Sequence, residues 1–83
     1  MPNVSAIIVN YNAGLILQEV IHSLLCSTSV TKAIVVDNAS CDESVSLLEQ
    51  EFRDEQRIHI LRSNKNLGFA KACNIGIAAA ESE

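Results

Sequence analysis

The sequence predicts an α/β domain: a three-layer, Rossmann-like half domain whose parallel sheet has the strand order 3-2-1. Three observations carry that expectation. Three short apolar runs occur, each giving way to polar turn residues and then to a stretch with helical apolar spacing. The runs are apolar with little alternation, which suits strands covered on both faces. The order β-α-β-α-β-α has no repeats or linkers, and right-handed crossovers then build half of a doubly wound fold.

Each element follows from its residues. Residues 4–9 are apolar apart from Ser5 and read as the first strand, broken by Asn10, Tyr11, Asn12, Ala13 and Gly14. Leu17, Val20, Ile21, Leu24 and Leu25 form an apolar stripe over residues 15–25, a helix that Ser27, Thr28 and Ser29 end. Residues 32–36 form the second strand and lead to Asp37. Ser40 and Glu43 have the spacing of a capping box, which opens a helix over 42–52 with Val45, Leu48 and Phe52 on one face. Residues 57–61 are a shorter third strand. Residues 63–68 are a loop, and 69–80 a third helix made thin by Ala70, Ala72, Gly76, Ala78, Ala79 and Ala80. Gly76 costs about 1 kcal/mol inside a helix, so a packing or functional reason is expected for it.

Composition bounds the possibilities. Eighty-three residues make one small domain, read as a single unit over 1–83. With 48% apolar and 19% charged residues the chain is globular, and with three aromatics (Tyr11, Phe52, Phe69) its core is aliphatic. A net charge of −4 argues against a nucleic-acid partner. Glu49, Glu51, Asp54 and Glu55 read as a solvated helix end. Arg57, Arg62, Lys65 and Lys71 are either surface charge or phosphate partners near the third loop. Cys26, Cys41 and Cys73 lack metal-ligand or disulfide-framework spacing, and no apolar run approaches ~18 residues. A cytoplasmic location is therefore expected, with the inner membrane face open to a longer parent enzyme. The order 3-2-1 also leaves the first strand at an edge carrying Ala6, Ile7, Ile8 and Val9. Either the chain is the first part of a larger domain, or it forms a homodimer through that edge.

Parallel strands bring their carboxyl ends to one rim, where α/β sheets bind ligands. Three polar clusters converge there: Asn10-Tyr11-Asn12, Asp37-Asn38, and Asn64 with Asn66. A tyrosine can stack on a nucleobase, and a carboxylate can accept from a base N–H or a ribose hydroxyl. Helix starts after Asn12 and Asn66 can offer amides to phosphate. The same residues also have a local reading: the asparagines as turn and cap residues, Asp37 as a turn acceptor, Tyr11 as a plain rim aromatic. His22 and His59 read as structural. No GxGxxG, GxxxxGK[ST] or GxSxG is present, which removes the corresponding dinucleotide, P-loop and nucleophile-elbow chemistries.

Val9-Asn10-Tyr11-Asn12, Val35-Val36-Asp37-Asn38-Ala39-Ser40 with Asp42, and the run from Asn66 through Gly68, Phe69, Ala70, Ala72 and Asn74 to Gly76 carry a resemblance. In order and spacing they resemble the opening of family 2 glycosyltransferases of the GT-A fold, and the NxGFAxAxN form is similar to the bacterial rhamnosyltransferase-like branch. The resemblance implies a half-site for the nucleotide of a nucleoside-diphosphate sugar. Tyr11 would stack near the base, and Asp37 would bind base or ribose, with Asn12 and Asn38 beside them. Asn66, Gly68 and Asn74 would shape the wall. It implies an inverting parent enzyme of polysaccharide assembly with a saccharide or lipid-linked acceptor. It also implies Mg²⁺ or Mn²⁺ held by a later acidic DxD-type motif, and a catalytic carboxylate later still. Neither motif is located in these residues, so no catalytic or metal-binding residue is assigned. The chain is expected to be truncated before the DxD motif and inactive alone.

Overall fold

The computed structural model describes residues 4–81. Its sheet is built on β2 (Val30–Asp37), flanked by β1 (Val4–Asn10) and β3 (Ile58–Arg62), all parallel. The order β1-β2-β3 is the expected one read from the other edge. Ala33, Ile34, Val35 and Val36 of β2 are at most 1% exposed, as the uninterrupted apolar run requires of a strand covered on both faces.

The period of two divides this strand between the faces. Ala33 and Val35 meet Leu17 and Ile21 of α1 (Leu15–Leu25) and Leu48 of α2 (Ser44–Glu51), with Ile8, Phe52, Ile58 and Ile60 around them. Ile34 and Val36 meet Ala72 of α3 (Phe69–Glu81), with Ile7, Val9, Leu61, Ala79 and Ala80. Gly76 explains how α3 comes so close. A Cβ there would lie 2.5 Å from Ile7 Cγ2 and 3.2 Å from Val36 Cγ2, so only bare backbone fits over β1 and β2.

Three expectations are corrected. The capping box does not form: Glu43 precedes α2 without a side-chain cap, and the helix starts at Ser44 rather than 42. The Ser40 hydroxyl donates instead to Asp37 Oδ1 at 2.6 Å, because a carboxylate is the stronger acceptor. Val20, placed on the buried stripe, is 39% exposed. α1 leans toward α2 on its other flank, where Gln18 Nε2 donates to Glu51 Oε1 at 2.6 Å and the His22 ring contacts the same carboxylate. Finally, Arg57 and Arg62 are held in ion pairs. Arg57, before the first residue of β3, lies at the amino end of the strand, away from the rim. Its Nε meets Glu55 Oε2 at 3.1 Å, and its Nη atoms donate to the carbonyls of Leu25 and Val30. Arg62 meets Glu49 at 2.5 Å.

Candidate functional site

The three strands end in register: Asn10 beside Asp37, and Asp37 beside Arg62. Two polar side chains at the ends of apolar strands must find partners or pay desolvation, and here they find each other. Asn10, 1% exposed, donates from Nδ2 to Asp37 Oδ1 at 2.8 Å and to Ser44 Oγ at 2.9 Å, with Ser40 Oγ at 3.2 Å. Asp37, 6% exposed, also accepts the Ser40 hydroxyl at 2.6 Å and the Ser40 N–H on Oδ2 at 3.1 Å. The Ser44 hydroxyl donates onward to Asp42 Oδ1 at 2.6 Å. Both hydroxyl protons thus point at carboxylates, and both hydroxyl oxygens face the Asn10 amide. Asn10 Oδ1 is left as a buried acceptor without a partner among the described residues.

This core ties the rim loops together. Asn12, at φ 51, has its N–H on Ser40 Oγ at 2.9 Å, and its Oδ1 accepts from the N–H groups of Cys41 at 2.7 Å and Asp42 at 3.2 Å. Gly14 N–H donates to Asp42 Oδ2 at 3.0 Å. Asn38, 3% exposed, clamps the third loop: Leu67 N–H donates to its Oδ1 at 3.1 Å, and its Nδ2 donates to the Gly68 carbonyl at 3.3 Å. Asn66 Oδ1 accepts the Gly68 N–H at 2.8 Å, and Gly68, at φ 86, needs the left-handed freedom of glycine. The Ser44 hydroxyl holds the Asp42 carboxyl below its ordinary value; partial desolvation opposes this, and the N–H groups of Ser44 and Gly14 add to the lowering.

The predicted site residues therefore divide into two sets. Asp37, Asn38 and Asn12 are brought together, but their side chains are engaged in building the rim. Tyr11, 52% exposed, stands between Asn10 and Asn12 with its ring open to solvent. Asn66 and Gly68 are exposed in the third loop, and Asn74 is exposed on α3. Sequence reasoning put Asn10 in the first rim cluster without a role of its own, and assigned no site role to Ser40, Ser44 or Phe69. The first three are the centre of the network, and Phe69 is 73% exposed where α3 begins. The register of Asn10 with Asp37 was a usable signal, since both end apolar strands of one parallel pair. Ser40 had been spent on the capping box.

Two depressions beside α2 lie away from the rim, lined by residues 50–55 and by Leu48, Glu49, Phe52, Arg53, Glu55, Ile58 and Ile60. They collect a charged helix end and add no converging polar set. Among the described residues no three His, Cys, Asp or Glu side chains come together to hold a metal ion. The rim residues thus do not fit the divalent cation implied by the resemblance.

A parallel α/β rim with three sewn loops is one geometry on which nucleotides bind, and the sequence profile described as Glycosyl transferase family 2 matches residues 5–83. The chain belongs to glycosyl transferase family 2. Among its relatives, an "Uncharacterized glycosyltransferase" of Haemophilus influenzae is 36% identical over 77 residues, which is 92% of this chain and 24% of that protein. The "Putative teichuronic acid biosynthesis glycosyltransferase TuaG" of Bacillus subtilis is 32% identical, over 96% of this chain and 32% of its own length. "Glycosyltransferase GlyG" of Streptococcus pneumoniae is 30% identical, over 96% of this chain and 27% of its own length. This family 2 chain thus spans between 24% and 32% of the length of these curated relatives.

Proposed function

We propose that this chain is the donor-nucleotide-binding part of a glycosyltransferase that takes a sugar, with inversion, from a nucleoside diphosphate to a saccharide or lipid-linked acceptor. The carrying observation is the rim itself: three loops joined by hydrogen bonds, with the Tyr11 ring left exposed among them. An aromatic face held on a rigid polar rim suits a nucleobase, and the Asp37 Oδ2 atom, which takes one N–H from the chain, keeps capacity for a ribose or base donor. Tyr11, Asn12, Asp37, Asn38, Asn66, Gly68 and Asn74 form the proposed nucleotide set. The NxGFAxAxN run and the name of the Bacillus subtilis relative support a rhamnosyltransferase-like role in cell-surface polysaccharide assembly. Such assembly draws on cytoplasmic donors, so the site is proposed to face the cytoplasm.

We further read residues 1–83 as one domain of a longer enzyme, with the metal-holding acidic motif and the base carried in the length its relatives have beyond this chain. The chain alone is then inactive. Titration of the ¹⁵N-labelled chain with UDP and dTDP is expected to shift Tyr11 and its neighbours, and Tyr11→Ala to abolish the shifts. Unchanged spectra with every nucleotide tried would defeat the binding role. Robust donor hydrolysis by the chain with Mg²⁺ or Mn²⁺ would defeat the claim that the catalytic groups lie elsewhere.

A second reading rests on β1. Among the described residues it pairs on one side only, and no charged residue lies between Val4 and Asn10, whereas the other edge strand carries His59 and Arg62. Self-association of the chain through β1 is expected to raise its sedimentation coefficient with concentration; a constant monomer value removes this reading.

A further inference from the structure

We propose that Ser40 is a positioning residue, whose hydroxyl fixes the Tyr11–Asn12 step and so sets the pose of the Tyr11 ring; this rests on the nucleotide reading above. The sequence assigned Ser40 to a helix cap, and the structure frees it from that task. Its Oγ joins the buried network directly to the Asn12 N–H of the first loop, next to Tyr11. It donates its proton to Asp37 Oδ1 at 2.6 Å and accepts from Asn12 N–H at 2.9 Å, with Asn10 Nδ2 at 3.2 Å. Its own N–H, on Asp37 Oδ2 at 3.1 Å, keeps it in place.

Direction matters here. A hydroxyl that gives its proton to a carboxylate presents its lone pairs elsewhere, and hydrogen bonds in such a chain polarise one another. The Asn12 N–H therefore meets an oxygen made a better acceptor by Asp37. Asn12 itself sits at φ 51, a conformation that most residues avoid. Its backbone is held there from two sides, by Ser40 Oγ on its N–H and by the Cys41 and Asp42 N–H groups on its Oδ1. Loss of the Ser40 hydroxyl removes the tie nearest Tyr11 and leaves the Asn12 side-chain bonds in place.

Amide exchange on the ¹⁵N-labelled chain tests this directly. In Ser40→Ala the Asn12 amide is expected to exchange about 5–10-fold faster than in the wild type, the equivalent of one lost hydrogen bond. Amides of β2 should keep the rate set by global stability, and Ser40→Thr, which keeps a hydroxyl, should restore Asn12. Ile60→Val, a core change away from the rim, is the control for general loosening, which speeds all amides by one factor. Selective acceleration at Asn12 supports the proposal; an unchanged Asn12 rate, or one uniform factor in both variants, overturns it. In a UDP titration, Ser40→Ala should weaken binding by about 5–10-fold and Ile60→Val should not. Equal affinity of Ser40→Ala and wild type also overturns the proposal. A wild type that ignores both UDP and dTDP defeats the nucleotide reading instead, and the Asn12 exchange pattern then decides the positioning role alone.

Discussion

The two ends of the strands are held by different means. At the carboxyl ends, buried and part-buried polar side chains bond one another: Asn10, Asp37, Ser40 and Ser44 form one network that runs on to Asp42, and Asn12 and Asn38 tie in the loops. At the amino ends one half-exposed cation, Arg57, gathers the end of α1, the start of β2 and the Glu55 carboxylate. The first arrangement leaves little to rearrange and so presents preformed loops to a ligand. The second is a solvent-screened tie. The difference teaches where this fold spends its buried polar groups: at the end where chemistry is expected.

The comparison breaks first at Asp37. Asp37→Ala leaves the Asn10 amide, the Ser40 hydroxyl and the Ser40 N–H without their acceptor in a site only 6% exposed. A loss of about 3–5 kcal/mol is expected, enough to unfold a small domain, and urea denaturation followed by circular dichroism measures it. Arg57→Met keeps the apolar stem and removes the tie at the other end. Its side chain is 33% exposed and the pair is screened by solvent, so the expected cost is small and well below that at Asp37, read from the same unfolding curve. A larger loss there than at Asp37 would reverse the ranking of the two ends.

Ala39 offers a smaller and opposite effect. It sits at φ 63, where a Cβ costs roughly 1–2 kcal/mol, and the greater chain entropy of glycine offsets part of that. Ala39→Gly is expected to raise the melting temperature slightly. A fall would mean that the turn is held by more than its backbone.

Acid bears on both ends. Arg57, by its side-chain hydrogen bond, holds the Glu55 carboxyl below its ordinary 4.5, and the Ser44 hydroxyl holds Asp42 below its ordinary 3.8. A carboxyl whose folded value is depressed stabilises the fold above its unfolded value, and that contribution is lost as pH falls through the folded one. Both groups are exposed and screened, so the effects are small. Each contribution is therefore lost only as pH falls below the ordinary value of its own carboxyl. Following the Arg57 Nε–H and the Gly14 N–H by NMR from pH 6 downward should show each bond hold through that ordinary value and weaken below it. Asp42→Asn should remove the Gly14 step alone.

Much of the architecture was legible before any coordinates. α1 spans the residues its apolar period marked, and α3 starts where expected at Phe69. The parallel order followed from alternation and crossover handedness. Strand ends were less legible, because Asn10 and Asp37 are polar residues that join the ladder only once a neighbour supplies partners. The rim was legible as a place, but not the part that each side chain plays in building it. Tyr11, Asp37 and Asn38 were correctly put on one rim, yet the burial of the last two could not be read from their neighbours in the chain.

Sequence alone determined the fold class and the convergence of three polar clusters on one edge, because apolar period and turn chemistry are local properties; the family came from the likeness of its motifs and the profile match. Only the tertiary structure decided what each polar side chain does there. Ser40 lies three residues from Glu43 and 28 from Asn12, and local spacing favours the first pairing. The turn after β2 puts the Asp37 carboxylate 2.6 Å from its hydroxyl, and the pairing of β1 with β2 brings the Asn12 N–H to 2.9 Å from the same oxygen; a part-buried charge-assisted bond outweighs a helix cap that water can replace.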